Sequence, residues 1–230
     1  MSTIPLYNPL APEVLDSLLS IGFYRMRQTV FTTSFAVTDD EEIIEVFWLR
    51  IRLRGYVPGK RHRELNRRCK RFRCTLLDAV ITDEIETLYA CYKSNVRFQA
   101  PGSAADFLMG ESKENFFPSR MWEVRDGDRL IAIGYFDEGS DSSAGILNFY
   151  HPDYRKFSLS KWLYLESVRY AAGTGKTYFY PGYIALYFPK FDYKLEAGRE
   201  RAEVWQPEKG IWTPYSQSDH AAQFSEGLIY

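Results

Sequence analysis

The chain has 230 residues, of which 45% are hydrophobic and 26% charged, with a formal net charge of −1. This composition excludes an intrinsically disordered chain, and the length is ample to bury a core without disulfide or metal staples. No apolar run approaches the roughly 20 residues that span a bilayer, and no basic-then-apolar leader opens the chain. Three cysteines without a CxxC pair (Cys69, Cys74 and Cys91) point to a reducing cytoplasm.

Pro12 to Ile21 reads as a short amphipathic helix. Val14, Leu15, Leu18 and Leu19 share one face, and Gly22 ends it. Strands are expected within Phe23 to Phe35. Glu45 to Leu53 alternates cleanly, with Val46, Trp48 and Arg50 on one face and Phe47, Leu49, Ile51 and Leu53 on the other. After a Pro58-Gly59 turn, Lys60 to Lys70 reads as a basic helix, because Arg63 and Arg67 are four apart and stack on one side. Asp83 to Asn95 is a helix behind Thr82 as N-cap, and Ser103 to Met109 a shorter one. The intervening Pro101-Gly102 marks the expected boundary between a lobe of residues 1–100 and a lobe of residues 101–230.

In the second lobe Met121 to Val124, Leu130 to Phe136 and Gly145 to Tyr150 read as strands. Asp126-Gly127 forms a turn, and Glu138 to Ser143 a polar loop. Ser158 is the expected N-cap of a helix reaching Ala172, stopped at Gly173. Thr177 to Tyr180 is a strand that Pro181-Gly182 breaks. Ala202 to Trp205 and Ile211 to Pro214 close the chain around Lys209-Gly210. The order strand-strand-strand-helix-strand predicts an α+β fold, α/β-like, with a mixed sheet and a crossover helix.

The near-zero net charge hides an asymmetry. Eleven of the 24 residues from Arg50 to Arg73 are Lys or Arg, and only Glu64 opposes them; an acidic run, Asp39 to Glu42, lies just upstream. Such a density predicts a surface for an anionic ligand, against the blander reading of a solvated helix face. His62, His151 and His220 show neither HxxxH nor HxH spacing, so no metal site is expected. Gly173-Thr-Gly-Lys176 follows a helix and precedes a strand, the wrong way round for a phosphate loop.

Polar and aromatic residues concentrate in Leu147 to Tyr154, in Tyr178 to Tyr183 and in Lys190 to Lys194. Tyrosines alternating on a strand can line a groove, offer hydroxyls and stack on bases. Phe149 and Phe179 are expected in the core, whereas Tyr180, Tyr183 and Lys194 are expected in a cleft beside Pro-Gly.

These same segments carry a family resemblance. Asn148-Phe-Tyr-His-Pro-Asp153, Ser158-Leu159, Tyr178-Phe-Tyr-Pro-Gly-Tyr-Ile184 and Lys190-Phe-Asp-Tyr-Lys194 resemble the arginyl-tRNA–protein transferase family, including its bacterial aspartate/glutamate leucyltransferase-type members. The family pattern reads YxFYDPD, SLGxY, YxYLGYxI and KMxYK in this order. Val46 to Leu53, Pro58 to Arg63 with Arg67-Arg68, and Leu18 to Tyr24 resemble its upstream segments. The resemblance implies two lobes, the C-terminal one GNAT-like. It implies transfer of an amino acid, Arg or Leu, from aminoacyl-tRNA to the α-amine of an acceptor protein or peptide with an acidic N-terminus, in an N-degron route. Aminoacyl-tRNA is then a co-substrate, and no resident cofactor is expected.

The residues divide accordingly. His151, Tyr150, Asp153, Tyr180, Tyr183 and Lys194 are the catalytic candidates. Arg50, Arg52, Asn148, Tyr178 and Lys190 are the substrate-binding candidates, and Lys60, Arg61, Arg63, Arg67 and Arg68 the tRNA track. His151 is attractive as a base because an imidazole titrates near neutrality; the alternative is a helix-capping role. The chain also departs from the family pattern. Val30 to Trp48 holds none of the family's metal-binding cysteines, His151 replaces an aspartate, Ser160 a glycine and Pro181 a leucine. Two other readings share the fold: an acyl-CoA-dependent N-acetyltransferase and a non-catalytic RNA- or protein-binding module. The first wants a glycine-rich turn before the crossover helix, and Arg155 to Ser160 has no glycine.

Overall fold

The computed structural model describes residues 1–217, leaving out 39, 97, 113, 186 and 187. Asp39 and His220 lie outside the described residues. A small antiparallel sheet opens the chain, built from β1 (Ser2–Pro5), β2 (Tyr24–Met26) and β3 (Thr29–Thr32), with β3 in the middle. Between β1 and β2 runs α1 (Pro12–Ser20), which buries Leu15 and Leu19. Next come β4 (Phe35–Val37), which pairs with β5 (Ile43–Arg52), then α2 (Lys60–Cys69), β6 (Arg73–Asp78), α3 (Asp83–Lys93) and α4 (Ala104–Met109). The chain continues through β7 (Ser119–Asp126), β8 (Arg129–Glu138), β9 (Ser142–Tyr150), α5 (Leu159–Gly173), β10 (Tyr178–Ala185), β11 (Ala202–Gln206) and β12 (Ile211–Pro214).

Among the described residues the main sheet runs β12-β11-β5-β10-β9-β8-β7-β6, with β4 added beside β5. It is mixed: β10 lies parallel to β9 after the α5 crossover, and its other pairings are antiparallel. This is the mixed sheet and crossover helix expected of the C-terminal lobe. β5 and β6 precede residue 100, yet both are hydrogen-bonded to strands that follow it.

Alternation along the strands divides the core between two faces. Trp122, Val124 and Ala132 pack with α2 and α5, around Leu65, Leu163 and Phe179. Met121, Ile133 and Tyr135 pack with α3 and α4, around Ile85, Leu88 and Phe149. A third cluster joins α1 to Val30, Phe117, Ala144 and Tyr180. β5 is interior to the sheet, and both of its faces are covered: Val46 and Trp48 are as buried as Leu49 and Ile51.

Four local expectations need correction. β10 does not break at Pro181-Gly182: the strand continues through a bulge, with a register shift against β5 between Phe179 and Gly182. Ser158 does not cap α5 with its side chain. It sits in the left-handed region (φ 56°, ψ 47°), because it ends the 3-10 turn Pro152–Phe157 and starts α5 at once. The polar loop shrinks to three residues, since β8 runs to Glu138 and β9 starts at Ser142. β1 and β6 are absent from the expected elements: β1 is exposed throughout, and β6 alternates over only Cys74 and Leu76. Thr82 does cap α3, accepting from the Ile85 N–H.

Candidate active site

β9 and β10 pair over only three positions, Ser142–Tyr178, Ser143–Phe179 and Ala144–Tyr180. Beyond Gly145 and Pro181 they part, and a cavity of about 1230 Å³ opens between them. The bulge in β10 causes the divergence, and Gly182 permits it with φ +91°. A side chain at Gly182 would also press on Lys194, whose Nζ lies 3.3 Å from the position of a Cβ. Parting leaves carbonyls without ladder partners. The Tyr24 hydroxyl fills the wedge, donating to Gly145 O and, at 3.1 Å, to Tyr180 O. Burial holds that hydroxyl well above its ordinary pKa, so it stays a donor.

The walls come from both halves of the chain. Tyr24, Phe31 and Trp48 form one side, with Tyr24 and Trp48 stacked at 5.1 Å. Asn148 and Tyr150 of β9, Ser160, Lys161 and Tyr164 of α5, and Tyr183 of β10 form another. Gly134 on β8 is needed here, because a Cβ there would collide with Asn148 Oδ1. Phe188, Lys190, Phe191 and Lys194, from the segment after β10, complete the enclosure.

Charge in the cavity is one-sided. Arg25, Arg27, Arg155, Lys161, Lys190 and Lys194 line it, and among the described lining residues there is no Asp or Glu. Several of these cations are already paired outside it: Arg25 with Asp137 (2.8 Å), Arg27 with Asp106 (2.9 Å) and Lys161 with Glu196 (2.7 Å). Lys194 differs. It is 8% exposed, its Nζ donates to Tyr183 O at 2.6 Å, and no carboxylate lies within 4 Å among the described residues. Burial alone lowers its pKa to about 7.

The predicted residues fall into four places. Tyr150, Tyr183, Lys194, Asn148 and Lys190 line the cavity. His151 and Asp153 do not. His151 starts the 3-10 turn, its Nδ1 accepting from the Asp153 N–H (3.3 Å) and its Nε2 lying 2.8 Å from Arg129, which also reaches Asp153. Its geometry is that of a cap.

Tyr180, Tyr178, Arg50 and Arg52 lie away from the cavity lining. Tyr180 is packed in the α1 cluster against Trp212, and burial pushes its hydroxyl to about 12. Arg50 is held by Glu203 (2.7 Å) and stacks on Tyr178 and Trp212; Arg52 also reaches Glu203. Burial pushes the Cys69 and Cys74 thiols to about 11 and about 12, which makes them poor nucleophiles.

α2 presents Lys60, Arg63, Arg67 and Arg68 to solvent while burying His62, Leu65 and Cys69. The buried face is pinned to α5 through His62–Glu166 (2.7 Å) and Asn66–Trp162 (2.5 Å). Arg61 connects to the cavity rim, since Glu196 takes both Arg61 (3.5 Å) and Lys161 (2.7 Å). The exposed cations of α2 are thus linked to the cavity mouth at the start of α5. Sequence reasoning missed Tyr24 and Trp48, whose only local signal was their place in alternating segments.

Comparison with known proteins finds a family, curated relatives and solved structures. The family described as Arginine-tRNA-protein transferase, C terminus, matches residues 60–201. The aspartate/glutamate leucyltransferase of Leptospira interrogans is 26% identical over 203 residues, 83% of this chain and 74% of that protein. The aspartate/glutamate leucyltransferase of Shewanella oneidensis is 27% identical over 194 residues, 80% and 76% of the two chains. Among solved structures, a C-terminal DUF2156 domain from Agrobacterium fabrum overlaps 81% of this chain and 66% of its own, at 12% identity and TM-score 0.49. FemX overlaps 80% and 65%, at 9% identity and TM-score 0.46.

Proposed function

The chain belongs to the arginine-tRNA-protein transferase family and is an aminoacyl-tRNA transferase, and from that premise we propose that it moves leucine from leucyl-tRNA onto proteins with an N-terminal Asp or Glu. The observation that carries this choice is the cavity's composition: aromatic and aliphatic walls, several cations and no carboxylate among the described lining residues. An apolar donor side chain finds the walls it needs. An arginyl donor would bring a further cation with no counter-charge. An acidic acceptor brings the missing negative charge.

The reaction asks little covalent work of the protein. The ester is already activated, so the acceptor amine attacks the acyl carbon directly. The C–N bond forms, the ester C–O bond breaks, and the amine proton goes to the departing ribose oxygen. A free α-amine has a pKa near 8, so loss of the ammonium proton is a modest task. Holding the two substrates together is the larger contribution. Asn148, Tyr150 and Tyr183 line the cavity, and their side chains are donors of the kind a developing oxyanion needs. The exposed face of α2 and Arg155 supply a cationic approach for the tRNA acceptor arm. An acyl-CoA donor fits less well, because the turn before α5, Arg155 to Ser160, has no glycine to bring successive N–H groups around a pyrophosphate. An N-degron role in the cytoplasm is part of the same reading.

The test is a transfer assay. Purified protein is mixed with tRNA charged with a panel of labelled amino acids and with peptides beginning Asp, Glu, Lys, Arg or Ala. Label from leucyl-tRNA appearing on the Asp and Glu peptides is the expected result. Label from arginyl-tRNA instead would overturn the donor assignment, and tRNA binding without transfer to any peptide would favour a binding module.

A further inference from the structure

We propose that the Lys194 ammonium and the Trp48 indole N–H together form the receptor for the carboxylate of the acceptor's first residue. This deepens the functional reading above and rests on it for the identity of the ligand. Outside the tRNA track, four of the candidate site residues are Lys or Arg: Arg50, Arg52, Lys190 and Lys194. Arg50 and Arg52 are occupied by Glu203 and are not part of the cavity wall. Lys190 is exposed at the rim, with its Nζ over the Phe98 ring at 4.5 Å. Lys194 alone is buried in the cavity wall without a carboxylate.

The surroundings are built around that amine. Its Nζ lies 5.2 Å from the centre of the Tyr183 ring and 4.9 Å from that of Phe191. An ammonium has three donors, and Tyr183 O takes one. The aromatic faces favour the cation but supply no anion. Trp48 packs edge-on against the same tyrosine, at 5.5 Å between ring centres. The Trp48 residue is 4% exposed, and its Nε1 is buried with no acceptor among the described residues. A buried donor without an acceptor is costly, and so is a buried cation without an anion. A carboxylate that reaches both relieves both at once. The lowered pKa of Lys194, about 7, is the mark of that missing partner.

Asparagine and glutamine match aspartate and glutamate in shape but lack the charge, so the receptor is tested by the acid-to-amide affinity ratio. Peptides identical after a first residue of Asp, Asn, Glu or Gln are titrated against the full chain by calorimetry, without tRNA. The wild type is expected to bind each acid at least about tenfold tighter than its amide. Lys194→Met is expected to bring that ratio near one. Trp48→Phe keeps an aromatic ring at the position and removes the N–H together with part of the indole, and is expected to lower the ratio about threefold while leaving amide-peptide affinity nearly unchanged. A wild-type ratio near one, or the wild-type ratio persisting in either folded variant, overturns the receptor. Should Lys194→Met fail to fold, Trp48→Phe decides alone. Because binding needs no transfer, an acid preference that disappears in these variants, in a protein that transfers nothing, sinks the transferase reading and leaves the receptor standing.

Discussion

The cations of α2 and the cation at Lys194 belong to the same residue class and do opposite physical work. Lys60, Arg63, Arg67 and Arg68 stand in water on one face of a helix, and among the described residues none has a carboxylate within 4 Å. Their charges cost little to hold, add together, and are screened by salt. Lys194 is desolvated behind Tyr183 and Phe191, so its charge is costly until an anion arrives. The first arrangement suits a long polyanion met at many points. The second suits a single carboxylate met at one. Charge count alone does not separate them; solvation does.

Three experiments sharpen or break this contrast. The largest effect is expected from pH. In the unfolded chain Lys194 keeps its proton to about pH 10.4, whereas in the folded protein it loses it near 7. Between those values the unfolded state binds more protons, so stability rises with pH. The contribution is roughly 4 kcal/mol between pH 7 and pH 10. It is read as the difference between wild type and Lys194→Met in denaturant unfolding at several pH values. Parallel pH profiles would place Lys194 in water with the α2 cations.

The next effect concerns α2. Removing Arg63 and Arg67 together is expected to weaken tRNA binding by about 10- to 100-fold at low salt. It is also expected to flatten the plot of log affinity against log salt by about two. The gap from wild type then narrows as salt rises. Filter binding across a salt series measures both, and an unchanged slope would remove α2 from the tRNA track. Acid-to-amide discrimination should be untouched by this double variant, which separates the two regions functionally.

The smallest effect is expected at His151. Its ring is engaged by Arg129 and Asp153 and is not part of the cavity wall. His151→Ala should change the transfer rate by no more than about twofold, with a stability loss of about 1 kcal/mol. A loss of about a hundredfold or more in initial rate would return the imidazole to the chemistry.

Local chemistry made much of the fold legible. The helices announce themselves through apolar spacing in α1, the four-residue step from Arg63 to Arg67 in α2 and the Thr82 cap in α3. The β7–β8 hairpin follows from alternating strands around Asp126-Gly127, where Gly127 takes φ +61°. The site was only partly legible. Tyr150, Asn148, Tyr183, Lys190 and Lys194 do reach one cavity. Tyr178 and Tyr180 carry the same signal, yet pack by Arg50, Trp212 and the α1 cluster. The bulge at Pro181-Gly182 lies between Tyr180 and Tyr183, and a two-residue alternation does not count through a bulge.

Sequence by itself determined the element types, the mixed-sheet class, the family and the concentration of positive charge on α2, because each depends on residues near one another in the chain or on ordered motifs. Tertiary structure alone decided which cations remain available. Arg50 loses its freedom to Glu203, 153 residues away, and Lys194 faces a cavity that Trp48 also lines. Pairing and desolvation are set by distances in space, over which local spacing has no control.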